Sequence, residues 1–105
     1  MRRSTRLVRQ FVANKKRGEP YDVYVGRPSK FGNPFVIGRD GNREDVVRKF
    51  EEYLLANPEL LEAVRRELRG KRLGCFCAPQ RCHAHVLAWY ANGFDRQEQR
   101  RQRQK

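Results

Sequence analysis

Lys71-Arg72-Leu73-Gly74-Cys75-Phe76-Cys77-Ala78-Pro79-Gln80-Arg81-Cys82-His83-Ala84-His85 is the stretch that decides how this 105-residue chain is read. Residues 71–77 read as a strand, Ala78-Pro79 breaks it, and a helix is expected from near Cys82. That helix carries Val86, Leu87, Trp89 and Tyr90, and Asn92-Gly93 is a suitable C-cap for it. Trp89 and Tyr90 continue its apolar stripe and are read as core. A strand feeding a helix across so short a break points to an α/β domain. The same stretch gathers all three cysteines and both histidines of the chain between positions 75 and 85.

Upstream, residues 43–56 set Val46, Val47, Phe50, Tyr53 and Leu54 at helical spacing, behind an Asp40-Gly41-Asn42 turn able to cap them. Asn57-Pro58-Glu59 restarts a helix, with an N-cap side chain, proline at the first helical position and a carboxylate in the first turn. Leu60, Leu61, Val64 and Leu68 form its apolar stripe, Arg65, Arg66 and Arg69 favour its C-terminal end, and Gly70 ends it. Arg27 to Phe35 holds two prolines and a glycine and reads as a loop. Tyr21-Asp22-Val23-Tyr24-Val25 alternates as a strand does, and Arg6 to Val12 is expected as the first strand, joined to it by the polar connection 14–20. The order is β-β-loop-α-α-β-α, an α/β domain over residues 7–94 with a short sheet packed by about three helices. Residues 1–6 are a basic N-terminal end. Residues 95–105 form a basic tail with no apolar face, expected to be disordered on its own.

The net charge of +12 is concentrated at the ends. Residues 1–20 carry seven basic side chains against Glu19, and residues 95–105 carry five against two acidic ones. Such a charge favours a polyanionic partner, because released counterions drive the association. The candidate nucleic-acid contacts are therefore Arg2, Arg3, Lys15, Lys16, Arg17, Arg100, Arg101 and Arg103. Stacking aromatics are nearly absent from these runs, where only Phe11 occurs, so the charge alone names no partner. Three closely spaced cysteines do not suit a secreted disulfide framework, and no apolar run approaches the roughly 20 residues of a membrane helix. A cytosolic protein with reduced thiols is expected.

Three readings of the Cys/His cluster stay open on the residues alone. In the first, Cys82 or Cys77 is an activated thiolate or ligand contact, His83 an acid–base group or hydrogen-bond donor, and the helix N-terminus a seat for phosphate or carboxylate. In the second, Cys75, Cys77 and Cys82 with a histidine hold zinc, although the spacing is not that of a usual finger or ribbon. His83 and His85 would lie about 200° apart on the helix, whereas Cys82 and His85 are one turn apart, which makes His85 the fourth ligand. In the third, the thiols are small buried core residues. The preceding loop offers Arg27, Ser29, Lys30 and Asn33 as donors for a phosphate or a base edge. Equally, Phe31 and Phe35 could plug the core from a rigid connector.

The chain resembles the family called domain of unknown function 4326, small proteins and domains of bacteria and their viruses. The resemblance is carried by Tyr21 to Phe35, by Arg69 to Pro79, and by Cys82-His83 through Asn92-Gly93, and it spans roughly residues 7–94. It implies a small α/β fold and makes the Gly32-Asn33-Pro34 loop and the Cys82-His83 turn the two signature segments, but it implies no activity. Phe31 and Phe76 stand where the family usually has tryptophan. Ala84-His85 stands where it has glycine then aspartate, which sets His85 apart from any shared site.

The expectation drawn from these readings is a cytosolic, phage-type protein binding a nucleotide or nucleic acid between the Arg27–Asn33 loop and the Cys77–His83 turn. Arg27, Ser29 and Lys30 would hold phosphate, Asn33 would orient the ligand, and Cys77, Cys82 and His83 would line a reactive side suited to hydrolysis or group transfer. The alternative is a non-enzymatic module, with or without zinc, docking its basic ends on nucleic acid or a host protein.

Overall fold

The computed structural model describes residues 8–76, 80 and 82–94. At its centre is strand β3 (Leu73–Cys75), paired in parallel with β1 (Val12–Asn14) on one side and β2 (Val23–Tyr24) on the other. Val12 and Val23 both lie opposite Leu73. The Lys15 N–H donates to the Cys75 carbonyl at 2.7 Å and the Val25 N–H to the Gly74 carbonyl at 3.1 Å, extending both ladders past the assigned strands. Because the strands are parallel, all three carboxyl ends meet at one edge of the sheet, and the site is built there.

Side chains alternate along β3, so its two faces differ. Leu73 and Cys75 are buried in the core, with Cys75 meeting Cys82 at the start of the last helix. Gly74 faces the other way, where the Tyr21 ring lies across it; a Cβ at Gly74 would come within 2.7 Å of that ring. The absence of a side chain here lets the chain leaving β1 cross the central strand and begin β2 in the same direction.

Three helices complete the core: α1 (Arg43–Leu55), α2 (Pro58–Glu67) and α3 (His83–Ala91). Asn42 opens α1 with a capping box: its Oδ1 accepts the Asp45 N–H and Asp45 Oδ2 accepts the Asn42 N–H, both at 2.9 Å. Pro58 is the first residue of α2, but Asn57 makes no side-chain cap; its carbonyl accepts the Leu61 N–H at 3.0 Å instead. Helix α3 is buried from Ala84 to Ala91, the pattern of a helix enclosed by its neighbours rather than laid on a surface. Trp89 and Tyr90 are each 1 % exposed, as the apolar stripe predicts. Across the α1–α3 contact the Tyr90 hydroxyl donates to the buried Glu51 carboxylate at 2.6 Å. Asn92 closes the far end: its Oδ1 accepts the Gly70 N–H at 3.0 Å and its Nδ2 donates to the Ala88 carbonyl at 2.8 Å.

The element order agrees with the sequence reading, and the boundaries of the strands do not. The first strand was expected over Arg6 to Val12; Arg6 and Leu7 lie outside the described residues, Arg9–Phe11 is a 3-10 turn, and the strand is Val12–Asn14. Pairing with β3 selects this register, and Asn14 is buried at its end with polar partners. Its N–H donates to Glu19 Oε1 at 2.7 Å and its Oδ1 accepts the Arg17 N–H at 3.1 Å. The third strand ends at Cys75, shorter than the expected 71–77. Residues 1–7 and 95–105, including the tail read as disordered, lie outside the described residues. Among the described residues no helix is long and apolar enough to cross a membrane.

Candidate ligand-binding cleft

A cleft of about 480 Å³ opens at the carboxyl edge of the sheet. One wall is the end of β2 with Tyr24, Gly26 and Arg27; the next is the loop carrying Asn33 and Phe35 to Ile37. The first turns of α1 contribute Arg43, Val46 and Val47, and the floor is formed by Cys75, Phe76, Cys82 and His83. The Arg27–Asn33 loop and the Cys-His turn, far apart in sequence, therefore share one cavity. Among the described residues no carboxylate lines it.

The loop is held from within. The peptide bond between Arg27 and Pro28 is cis. The Ser29 N–H donates to the Gly26 carbonyl at 2.9 Å, and Ser29 Oγ accepts the Phe31 N–H at 3.3 Å. Phe31, 4 % exposed, anchors the loop in the core. Asn33 clamps it to α1, its Nδ2 donating to the Val46 carbonyl at 3.2 Å while its Oδ1 accepts the Phe35 N–H at 2.9 Å. Both ends of that amide are thus engaged in shaping the wall. Lys30 pairs with Glu67 of α2 at 2.8 Å, and that hydrogen bond is the main reason the Glu67 carboxyl is held below its usual range. Of the four loop residues expected to contact ligand, Arg27 and Asn33 line the cleft; Ser29 and Lys30 do not. Arg27 is exposed and makes no ion pair among the described residues.

The rim from Val36 to Asp40 is equally fixed. Asp40 Oδ2 accepts the Val36 N–H at 2.8 Å and Arg39 Nε–H at 2.9 Å, and Lys49 Nζ donates to the Asp40 carbonyl at 2.8 Å. The Val36 hydrogen bond, then Arg39, holds the Asp40 carboxyl below its ordinary value.

His83, the first residue of α3, brings its Nε2 to 2.8 Å from the Val25 carbonyl. A carbonyl only accepts, so Nε2 carries the proton and Nδ1 is left as the acceptor of the ring. The ring meets Phe50 edge-on at 5.2 Å. Burial lowers the His83 pKa below 6.5, the nearby Arg27 charge lowers it further, and the Val25 hydrogen bond opposes both in part. The imidazole is therefore neutral at neutral pH.

The thiols have a different setting. Cys82 donates to Cys75 Sγ at 3.4 Å; both are reduced, and they are only 3 % and 2 % exposed. His85 is buried, and its Nδ1 accepts the Cys82 N–H at 3.0 Å, capping α3. The residue set apart by the resemblance thus has a defined structural task. Among the described residues no group of three potential ligands is assembled for a metal ion, and Cys77, named in both the reactive and the zinc readings, lies outside them.

Of the proposed nucleic-acid contacts, Lys15, Lys16 and Arg17 are exposed on the turn that follows β1. Arg2, Arg3, Arg100, Arg101 and Arg103 lie outside the described residues. Sequence reasoning missed Arg43, Tyr24 and Phe76. Arg43 carried a signal: a cation in the first turn opposes the helix dipole, and acidic residues are usual there. Phe76 carried none, since its exposure depends on where β3 ends.

The model of the family described as Domain of unknown function (DUF4326) matches residues 8–93. The chain is also similar to an uncharacterized 12.4 kDa protein from the nrdA-td intergenic region of Enterobacteria phage T4. The two are 34% identical over 85 residues, which cover 77% of this chain and 76% of the phage protein. No solved structure matches the chain. With the family model covering most of its length, the chain belongs to the Domain of unknown function (DUF4326) family.

Proposed function

We propose that the cleft binds the phosphate-bearing part of a nucleotide or nucleic acid. The observation that carries this reading is the convergence of Arg27, Arg43 and His83 on a cavity whose described lining holds no carboxylate, outside the carboxyl ends of parallel strands. Open parallel sheets bind ligands in this position. Arginine offers paired N–H donors matched to phosphate oxygens. The start of α3 adds backbone N–H groups and a partial positive charge. Ser29, Lys30 and Asn33 serve this site by shaping the loop rather than by contact.

If the site is catalytic, hydrolysis or group transfer would run through His83. Its Nε2–H is held by the Val25 carbonyl, and a neutral ring with an acceptor Nδ1 is suited to take a proton from an attacking water or hydroxyl. Cys82 lines the cleft, but its thiol is turned to Cys75 and buried, which favours a packing role over nucleophilic attack. A zinc staple that takes His85 as the fourth ligand beside Cys75, Cys77 and Cys82 is disfavoured by the commitment of His85 Nδ1 to the helix cap.

Calorimetric titration with thymidine monophosphate tests the binding step. Removing one charge-assisted donor set by Arg27→Ala is expected to weaken binding at least about tenfold, with the thermal midpoint unchanged. Unaltered affinity in both Arg27→Ala and His83→Gln would overturn the assignment.

A further inference from the structure

Phe76 and Ile37 are the two most exposed large apolar side chains described, at 52 % and 51 %, and both line the same cleft. Scattered exposed apolar residues are ordinary; two converging on one opening beside arginines are not. The Tyr24 and Phe76 rings meet edge-on at 5.8 Å. Lys15 Nζ stands 5.1 Å from the centre of the first and 5.8 Å from that of the second. The turn that begins with Lys15 is pinned to the sheet edge by the Lys15 N–H donating to the Cys75 carbonyl, one residue before Phe76. Parallel pairing thus sets the basic Lys15-Lys16-Arg17 turn, an exposed aromatic ring and Arg27 along one edge. The aromatic partner that the basic run lacks in sequence is supplied by the fold.

We infer that this edge is a stacking platform for single-stranded nucleic acid: an unpaired base lies on Phe76, and the phosphates flanking it are held by the Lys15–Arg17 turn and by Arg27. This rests on the phosphate-binding reading of the cleft and extends it from a nucleotide to a strand. The net charge of +12 matches a polyanion. Lys15 Nζ lies over one face of the ring, so the base takes the other, and it can do so only if it is not already stacked in a duplex. A strand can lay a base on Phe76 and set its flanking phosphates on the basic turn and on Arg27 at once, so the platform favours a chain over a monomer.

Fluorescence anisotropy with a labelled oligothymidylate of about 12 nucleotides, its duplex with oligoadenylate, and unlabelled thymidine monophosphate as competitor tests the platform. The single strand is expected to bind at least about tenfold tighter than either duplex or monophosphate, with an affinity that falls steeply with salt. Phe76→Ala and Phe76→Leu should each weaken it by about fivefold or more, and Phe76→Trp should restore it. Because Phe76 is exposed, these variants fold, which circular dichroism checks. Equal affinity for single strand and duplex, or no loss in either ring-less variant, overturns the platform. In that event monophosphate binding that still depends on Arg27 leaves the cleft assignment standing; loss of the Phe76 dependence and of the Arg27 dependence together removes both.

Discussion

The two ends of α3 follow opposite rules. Around its C-terminal half, Trp89 and Tyr90 are sealed, the Tyr90 hydroxyl is matched to Glu51, and Asn92 satisfies both the chain behind it and the helix before it. Around its N-terminus the chain leaves Phe76 and Ile37 half in solvent, gathers Arg27 and Arg43 at one cavity, and holds a histidine neutral. The first end is what folding alone selects: apolar surface removed from water and polar groups paired. The second keeps apolar side chains in solvent and brings like charges together. Local departure of this kind is where a ligand is to be sought, because its contacts supply what the fold omits.

Mutations break this comparison at either end. Trp89→Ala opens the sealed end and should cost about 3–5 kcal/mol, read as a fall in the urea midpoint. Tyr90→Phe is milder: it keeps the ring and strips the Glu51 carboxylate of a buried donor, for a loss of about 1–3 kcal/mol. At the open end the effect is one of pH. The folded His83 pKa lies below 6.5, so below that pH the unfolded chain binds more protons than the folded one. Stability contributed here is full above 6.5 and is lost as pH falls toward the folded value. His83→Gln should flatten that part of the acid slope in urea midpoints measured from pH 7 downward. Smallest of all, Phe76→Ser should shift stability by no more than about 0.5 kcal/mol, since no core contact is lost.

The helices were the more legible in sequence. Helical periodicity at Val46, Val47, Phe50 and Leu54, Pro58 at a helix start and Asn92-Gly93 at a helix end are local signals, and each has its counterpart in the fold. The strands were less so. Three-residue strands carry too few positions for alternation to be read, and β1 takes its register from β3, some sixty residues away in sequence. The site was half legible. Its two segments announce themselves by composition, the loop through glycine and prolines, the turn through cysteines and histidines. Which members face the cleft depends on rotations that no spacing encodes: Lys30 turns to Glu67, Cys82 to Cys75, and Arg43 enters from a helix read only for its apolar stripe. The basic turn and Phe76 become neighbours only through parallel pairing.

The central claim, that the carboxyl edge of the sheet is a phosphate-binding cleft, is tested most directly by backbone amide chemical shifts during titration with thymidine monophosphate. The account predicts saturable shifts at Arg27, Arg43, His83 and Ala84, with Leu61 and Trp89 unmoved. Shifts confined to the Lys30–Glu67 side of the loop, or no saturable shift at the four named amides, would contradict it.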